Sequence, residues 1–506
     1  MDLAKKLQQS EKSLTSTQLE ASPLQEPTNY NTSSLSFSKK LTSLVKGPER
    51  LWSTTLLAMT AALLTVVGGY TIAYPSSSLE DLQNITDGRA IKNGSTFEDV
   101  YGAITPIGAL FGGIVAGSSA DVLGRRPTII ITLLPYFVGW TMLGISWYIK
   151  NVLAFKVILL AGRFISGFGL GWAVLIGPVY IGEISLPSLR GLYSSFPQLF
   201  LNIGIMMSYL LGATGLKYHY LAFIASGFTL VISLAIVWVP ETPRFLIAKD
   251  NVTRALKTLR FLRGHNVDPK EELIEIEEAI TMQEKLSCLE VLKELPKRSV
   301  YLPFMLVMLL MFFQQFSGIN ALVFYSAPIL QRAGFGSNSA FLALMTVGIT
   351  SLLATFLNTL IIDLFGRKLL LMTSATLMAL SSYGLGLVMQ DTALKSVAIV
   401  SVIVFQAGFC IGYGATPWIM LPELIPLRVR GLLGGVTAAF NWGCASLITG
   451  FYFVVSNKIG ADIAWWIFAG INGLSVAFVA FFLPETKGKK LEMTEKLFTN
   501  NYKFCT

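Results

Sequence analysis

Long apolar stretches dominate this chain and restrict its fold more than any other feature. A helix needs about 20 mostly apolar residues to cross the hydrocarbon core of a bilayer, and about twelve stretches reach that length. Charged residues make up 14% of the 506, against about 25% in an average soluble protein. We therefore predict an all-α membrane protein. The predicted spans are Leu51–Tyr74, Tyr101–Ala120, Thr128–Ile149, Val152–Tyr180, Tyr193–Leu211, Tyr220–Val239, Tyr301–Leu330, Ala340–Ile362, Leu369–Met389, Ser396–Leu421, Gly431–Val455 and Ile463–Leu483.

Basic residues are concentrated in alternate loops between these spans. The net charge of +9 is compatible with nucleic-acid binding, but this distribution follows the positive-inside rule instead. We predict a multi-pass protein of the plasma membrane that binds no nucleic acid and keeps both termini in the cytoplasm. The basic positions are Lys39, Lys40, Lys46, Arg50, Arg125, Arg126, Arg190, the region 244–298, Arg367, Lys368, Arg428, Arg430, Lys487, Lys489 and Lys490.

The segment 76–100 joins the first two spans and is predicted to face the outside. It contains more acidic than basic residues. Its sequons at Asn84 and Asn93 are usable for glycosylation only on that side, so we predict glycans there. The four cysteines show no spacing typical of a metal site, and we predict neither a metal nor a cofactor.

The alternation of polar and apolar segments divides the chain into five parts. The first is too polar to bury a core, which is typical of disorder. The polar segment in the middle has leucine and isoleucine at helical spacing, which predicts short amphipathic helices. The predicted parts are a disordered cytoplasmic tail (1–48), an N-terminal six-helix half (49–243), a cytoplasmic helical linker (244–299), a C-terminal six-helix half (300–488) and a second cytoplasmic tail (489–506).

Three unrelated motifs occur twice, in the same order and at nearly one offset. The paired positions are Asp121 with Asp363, Gly124 with Gly366, Glu183 with Glu423, Arg190 with Arg430, and Glu241 with Glu485. The offsets are 366 − 124 = 242, 423 − 183 = 240 and 485 − 241 = 244. This recurrence predicts two parallel six-span repeats, as in transporters built of two similar halves.

Four polar side chains interrupt the seventh span. Gln314, Gln315, Ser317 and Asn320 lie in hydrocarbon with no charge nearby, where an unpaired polar group is costly. Such groups either join neighbouring helices or line a watery cavity. Gly318 can loosen the helix and turn them toward one cavity, and uncharged amides suit a ligand made of hydroxyls, such as a sugar. We predict the cavity.

Other spans carry weaker signals. Gln198 and Asn202 lie four residues apart on the fifth span and share one helix face. Glycines and Pro417 around Trp418 predict a broken tenth helix beside a cavity. Trp418 offers a flat apolar face to a sugar ring, although a membrane-interface anchor is the rival interpretation. Arg163 in the fourth span suits a structural contact as well as a functional one.

Together these motifs resemble the sugar porter family of the major facilitator superfamily. The resemblance covers nearly the whole chain and, within the family, is greatest to insect facilitated trehalose transporters. It implies twelve helices in two repeats, a central sugar site and a cytoplasmic helical bundle. The matching segments are Asp121–Arg126, Pro178–Gly191, Pro240–Arg244, Gln314–Asn320, Asp363–Lys368, Pro417–Gly431 and Pro484–Gly488.

The same resemblance implies roles for individual residues. The ligands of sugar hydroxyls would be Gln198, Gln314, Gln315 and Asn320, with Trp418 as the stacking or gating aromatic and Phe409, Phe324, Tyr325 and Trp442 as aromatic lining and gate residues. The charge network that closes the cytoplasmic side in the outward-facing state would be Arg126, Glu183, Arg190, Arg244, Arg367, Glu423 and Arg430.

Three departures from the family pattern concern the substrate. Animal glucose transporters of the family carry an acid where this chain has Cys410, and asparagines where it has Ser351 and Ala445. The predicted site thus keeps its seventh-span wall and loses polar groups on the C-terminal side. This change favours a hexose bound differently, or a disaccharide such as trehalose.

The first span indicates how transport is driven. Proton-driven relatives carry an acid there, and an intramembrane acid is the usual coupling device. Residues 63–74 contain none. We therefore predict facilitated diffusion by alternating access. The alternatives are a proton-coupled sugar symporter and a sugar sensor that does not transport. No nucleophile–base arrangement or phosphate loop indicates an enzyme.

Overall fold

The computed structural model describes residues 48–86, 88–92, 95–186, 189–264, 269–281, 288–391, 394–426, 428–487 and 498. Every regular element within these ranges is helical, and twelve helices are long and apolar enough to cross a membrane. The prediction of an all-α membrane protein with about twelve spans is confirmed. The predicted tails, 1–48 and 489–506, lie almost entirely outside the described residues.

The first six spans form the first half of the molecule. Spans one to four are α1 to α4, span five is α6 and span six is α7. The first span is longer than predicted, because α1 continues past Tyr74 and through Pro75, where Ser78 and Leu82 are buried against the bundle. The helices are α1 (Pro48–Gln83), α2 (Thr96–Leu123), α3 (Arg125–Ile145), α4 (Val152–Ile184), α5 (Arg190–Ser194), α6 (Phe196–Ala213) and α7 (Tyr218–Ile236).

Short helices follow in the predicted linker. They are α8 (Pro243–Ala248), α9 (Val252–Arg263), α10 (Lys270–Thr281) and α11 (Cys288–Glu294). Leucines and isoleucines of α8 to α10 form a small core of their own. Arg263 donates a hydrogen bond to the Ile184 carbonyl of the first half at 3.0 Å, and Glu294 lies 3.6 Å from Arg428 of the second half. We call the end of the bundle that carries these helices the linker end, and the other the opposite end.

The last six spans form the second half, and two of them are broken. Span seven is α12 and α13, span eight is α14 and α15 with the turns between them, and span ten is α17 and α18. The helices are α12 (Arg298–Phe316), α13 (Ile319–Leu330), α14 (Ser339–Ala343), α15 (Thr350–Phe365), α16 (Arg367–Gln390), α17 (Lys395–Ile411), α18 (Thr416–Leu424), α19 (Arg430–Lys458) and α20 (Ala461–Phe482).

The packing inside one half is repeated in the other. In the first half α1 packs on α6, α2 on α4, and α3 on both α4 and α7. In the second half α12 packs on α19, α15 on α17, and α16 on both α17 and α20. These are the same pairs when spans one to six are matched with spans seven to twelve. The prediction of two six-helix repeats is confirmed.

The two halves meet along three pairs of spans. α2 packs against α19, α6 against α14 and α15, and α1 against α13. Toward the opposite end, Ser76 and Ser326 hydrogen-bond at 2.9 Å, and the Tyr209 hydroxyl donates to the Val323 carbonyl at 2.6 Å. These polar contacts hold the halves together between the mid-span and the opposite end.

Candidate functional site

The seventh span is broken at Ser317 and Gly318. Gly318 has a φ of +97°, and a Cβ there would come within 2.8 Å of the Phe468 ring, so the position requires glycine. The Ser317 hydroxyl donates to the Gln314 carbonyl at 2.7 Å. The Asn472 amide donates to the Ser317 carbonyl at 3.0 Å. Polar side chains thus satisfy the backbone groups that the break releases.

The tenth span is broken as well, between α17 and α18. The Gln314 amide nitrogen donates to the Tyr413 carbonyl at 2.7 Å and makes a longer contact, 3.4 Å, with the carbonyl of Gly414. Irregular backbone at membrane depth persists only where such groups find partners or line a cavity. Gln314 therefore joins the broken backbone of one span to that of the other.

Four amides form a continuous chain beside these two breaks. Asn441 of α19 donates to Gln314 Oε1 at 2.8 Å, and Gln315 donates to Asn441 Oδ1 at 2.9 Å. Asn320 in turn donates to Gln315 Oε1. Gln314, Gln315 and Asn441 are buried, whereas Asn320 is half-buried. We call Gln314, Asn441, Gln315 and Asn320 the amide chain.

The amide chain is neutral and its links are replaceable. A hydrogen bond between neutral groups contributes about 0.5–1.5 kcal/mol net. A hydroxyl both donates and accepts, so one polyol can replace a link of the chain at little net cost. Sequence reasoning named three of the four amides and missed Asn441 as a site residue. The available signal was an asparagine inside an apolar run, next to Trp442.

The other predicted sugar-site residues lie nearby or farther along the spans. Gln198 is half-buried in the first turn of α6, and none of the hydrogen bonds assigned to the described residues involves its side chain. Phe409 is half-buried at the break of the tenth span, where its carbonyl accepts the Gly414 N–H at 2.7 Å. Trp418 is half-buried in α18, which packs against α12. Trp442 is buried beside Asn441.

Tyr325 and Phe324 lie away from the amide chain, toward the opposite end. Both are buried. The Tyr325 hydroxyl donates to the Thr449 carbonyl at 2.9 Å, and its ring stacks on Tyr452 with centroids 5.7 Å apart. A Cβ on Gly102 of α2 would overlap this hydroxyl. Tyr325 therefore fills a notch between the two halves and closes the bundle there.

At the linker end, the charged residues of the first half form one cluster. Arg125 donates to Glu183 Oε1 from Nε at 3.0 Å and pairs with it from Nη2 at 2.8 Å. Thr242 donates to Glu183 Oε2 at 2.6 Å. The prediction from the sequence gave this role to Arg126, whose guanidinium instead reaches the Val237 carbonyl at 3.0 Å. Adjacent arginines lie about 100° apart on a helix, so only one of them can face Glu183.

The second half repeats this cluster. Arg367 donates to Glu423 Oε1 at 3.1 Å, and Thr486 donates to Glu423 Oε2 at 2.6 Å. Arg367 follows a glycine of φ +84°, as Arg125 follows one of φ +101°. The repeat offset of 367 − 125 = 242 matches that of the glycines and was the signal that identified Arg125. Each cluster joins helices of one half only.

Two more carboxylates cap the helices that begin in these clusters. Glu241 accepts the Arg125 backbone N–H at 3.0 Å, and Glu485 accepts that of Arg367 at 3.1 Å. Burial raises the pKa of Glu241 above its ordinary value despite these bonds. Burial opposes ionisation of Glu485 too, but the backbone N–H groups on it outweigh burial and hold its pKa below the ordinary value.

The remaining predicted residues are less closely grouped. Arg430 donates to the Ile425 carbonyl at 3.1 Å and lies within electrostatic reach of Arg244. The side chain of Arg190 is not among the described ones. Asn84 is exposed just beyond the end of α1, and Asn93 lies outside the described residues. Glycosylation at these two sequons stays a prediction.

One buried cation lies outside all these groups. Arg163 of α4 is fully buried and donates to the Thr71 carbonyl of α1 at 2.9 Å. The rings of Tyr74 and Tyr101 lie 5.7 and 5.2 Å from its guanidinium carbon. None of the ion pairs assigned within the described ranges gives Arg163 an acidic partner. Carbonyl and ring contacts take the place of a carboxylate.

Comparison with protein families gives one extended match. A family model described as sugar (and other) transporter matches residues 57–498. The facilitated trehalose transporter Tret1 of Apis mellifera ligustica is 34% identical over 465 residues, which cover 90% of this chain and 89% of the relative. Tret1 of Aedes aegypti is 33% identical over 458 residues. That alignment covers 89% of this chain and 55% of the relative, so the chain spans about half of the mosquito protein.

Solved structures share the fold. The xylose transporter XylE from E. coli, in a partially occluded inward open conformation, superposes with a TM-score of 0.75 at 23% identity. The match covers 86% of this chain and 99% of that one. XylE bound to 6-bromo-6-deoxy-D-glucose, described as a proton:xylose symporter, gives a TM-score of 0.74 at 24% identity, with 89% and 100% covered.

Proposed function

The chain belongs to the sugar porter family of the major facilitator superfamily, and from this premise we propose that it carries a hexose or a disaccharide such as trehalose across the plasma membrane by facilitated diffusion. Both termini and the linker helices would then lie in the cytoplasm. The relatives named as facilitated trehalose transporters support the class of substrate. No catalytic step is part of the proposal.

The observation that carries the proposal is the amide chain. It is neutral, it lies between the broken spans seven and ten, and its exposed end is Asn320. A sugar that approaches Asn320 meets amide donors and acceptors in succession. Its hydroxyls take over the link between Asn320 and Gln315 first, because that link is nearest to open space. Gln198 across the junction supplies a further half-buried amide whose hydrogen-bonding groups are available.

Alternating access follows from the way the halves are joined. Tyr325, Tyr209 and Ser76 hold them together toward the opposite end. The two charged clusters at the linker end each belong to one half, so each half can move as a unit without breaking them. A sugar shifts the balance between the two arrangements only by its differential affinity for them.

Arg163 supports facilitated diffusion over proton coupling. Proton coupling needs a group that titrates near the transport path. The buried guanidinium bonds the Thr71 carbonyl, and the Thr71 hydroxyl bonds the Val67 carbonyl at 2.7 Å. The described part of the first span, from Trp52 to Thr71, carries no carboxylate that could exchange a proton with it. The flux is therefore set by the sugar gradient.

Sugar counterflow in proteoliposomes tests this proposal. Labelled trehalose, glucose and fructose are presented outside vesicles loaded with the unlabelled sugar, at equal pH and with an imposed pH gradient. We expect transient accumulation of at least one sugar, unchanged by the pH gradient. Gln315→Ala should raise the KM about tenfold, the equivalent of about 1.4 kcal/mol, because it removes two links of the amide chain.

Three outcomes would contradict the proposal. Binding without counterflow would indicate a sensor. Accumulation that depends on the pH gradient would indicate a symporter. An unchanged KM in Gln315→Ala, with correctly folded protein, would remove the amide chain from the sugar site.

A further inference from the structure

A second group of polar side chains lies where spans five, eight and ten meet. The members sit on three helices at spacings of three or four residues, so each set shares one helix face. All are buried, with side chains 3% exposed or less. We call them the junction cluster: Asn202 of α6, Ser351, Thr355 and Asn358 of α15, and Gln406 and Cys410 of α17.

Hydrogen bonds link the junction cluster across the two halves. Asn202 of the first half donates to the Thr355 hydroxyl of the second half at 2.5 Å. Gln406 donates to the Ser351 hydroxyl at 3.0 Å and makes a longer contact, 3.5 Å, with the Cys410 sulfur. A thiol is a weak acceptor, so Gln406 has only one good partner.

Two amide oxygens of the cluster are unused. Gln406 Oε1 and Asn358 Oδ1 are fully buried, and neither accepts a hydrogen bond from any part of the chain that the structure describes. Buried side-chain polar atoms nearly always have a partner. Two unused acceptors in one cluster therefore suit a ligand that donates hydrogen bonds, and sugar hydroxyls are donors of this kind.

The distance between the two polar groups indicates the size of that ligand. Gln406 and Tyr413 lie on the same span, and Tyr413 is the residue that Gln314 bonds. Their separation of 413 − 406 = 7 residues corresponds to about 10 Å of helix at 1.5 Å per residue. One pyranose ring reaches one of the two groups, whereas two linked rings reach both.

We propose that Gln406 and Asn358 form a second hydroxyl-binding subsite, which holds the second ring of a disaccharide while the amide chain holds the first. This inference rests on the proposed function and extends it. Hydroxyls of the second ring donate to the two unused oxygens, and Asn202 with Thr355 holds the fifth span against them. The cluster lies at the contact between the halves, so their separation exposes it.

Two substitutions of similar volume test the subsite. Gln406→Met and Asn358→Leu remove the amide and keep the packing. In counterflow with trehalose and with the monosaccharide that competes best, each should raise the trehalose constant about tenfold and leave the monosaccharide constant within about twofold. Ser382→Ala is the matched control, because Ser382 also has a buried hydroxyl without a partner, in α16. It should change neither constant.

The same measurements can overturn the proposal. Parallel increases for both sugars would assign the cluster to packing, as would failure of both variants to fold. Unchanged constants would leave the two oxygens to water. A wild type that carries no sugar would refute the proposed function itself, which is distinguishable because the defect then precedes any substitution.

Discussion

The two halves share a helix order and use it differently. In the first half spans one and four run unbroken, and glycine positions bring backbones into direct contact: a Cβ on Gly204 would overlap the Val66 carbonyl, and one on Gly171 the Ala109 carbonyl. In the second half the matching spans, seven and ten, are broken. Close backbone packing excludes polar side chains, whereas a break requires them.

This difference explains where the amides are. The breaks release carbonyls such as those of Ser317 and Tyr413, and side chains of Asn472 and Gln314 satisfy them. The first half has no comparable need along its described spans one and four, apart from Arg163 on the Thr71 carbonyl. The second half thus supplies the adaptable wall of the site, and the first half a stiff one.

The largest effect that tests this difference is expected at Gly318. Gly318→Ala places a side chain at φ +97° and against Phe468. The left-handed conformation costs roughly 1–2 kcal/mol and the overpacking about 1–3 kcal/mol. We expect a marked loss of thermal stability in detergent and loss of transport. Gly227→Ala in α7 is the control, since its Cβ would meet no atom within 4 Å. Equal behaviour of the two variants would show that the break is not required.

A smaller effect is expected where the halves are alike. Arg125→Ala and Arg367→Ala each remove a half-buried ion pair and leave Glu183 or Glu423 with its threonine alone. We expect similar shifts in the accessibility of a cysteine introduced at Gln198. Arg126→Ala should have less effect, because its guanidinium bonds only the Val237 carbonyl among the described residues. A dominant effect of Arg126 would restore the network predicted from the sequence.

The smallest effect is expected at the capping carboxylates, and its sign should differ between the halves. The pKa of Glu485 is lowered, so its contribution to stability is present above the ordinary pKa of 4.5 and is lost as pH falls below it. The pKa of Glu241 is raised, so its ionisation penalty appears as pH rises above 4.5. Between pH 6 and 4, thermal stability relative to wild type should therefore rise for Glu485→Gln and fall for Glu241→Gln. Changes of the same sign would contradict the assignment.

Much of the architecture was predictable because it follows from length and repetition. Apolar runs give the spans, since lipid leaves the backbone few alternatives, and paired motifs such as Gly124 with Gly366 give the repeat. The breaks were predictable from Gly318 and Pro417. Helix ends were less so, because burial of Ser78 and Leu82 carries α1 beyond its apolar run.

The site was only partly predictable from the sequence. Residue types located Gln314, Gln315 and Asn320, but a sequence does not specify which amide bonds which. It therefore did not indicate that Gln314 is held by the Tyr413 carbonyl or that Asn441 completes the chain. The choice of Arg126 over Arg125 was an error of helix phase, which the repeat offset would have corrected.

A structure determined with trehalose bound tests the central claim most directly. The claim is that amides of the second half exchange their mutual hydrogen bonds for sugar hydroxyls. The account predicts a sugar between the halves, with Asn320 and Gln315 bonded to it and no longer to each other. An intact amide chain, with the sugar bound elsewhere, would contradict it.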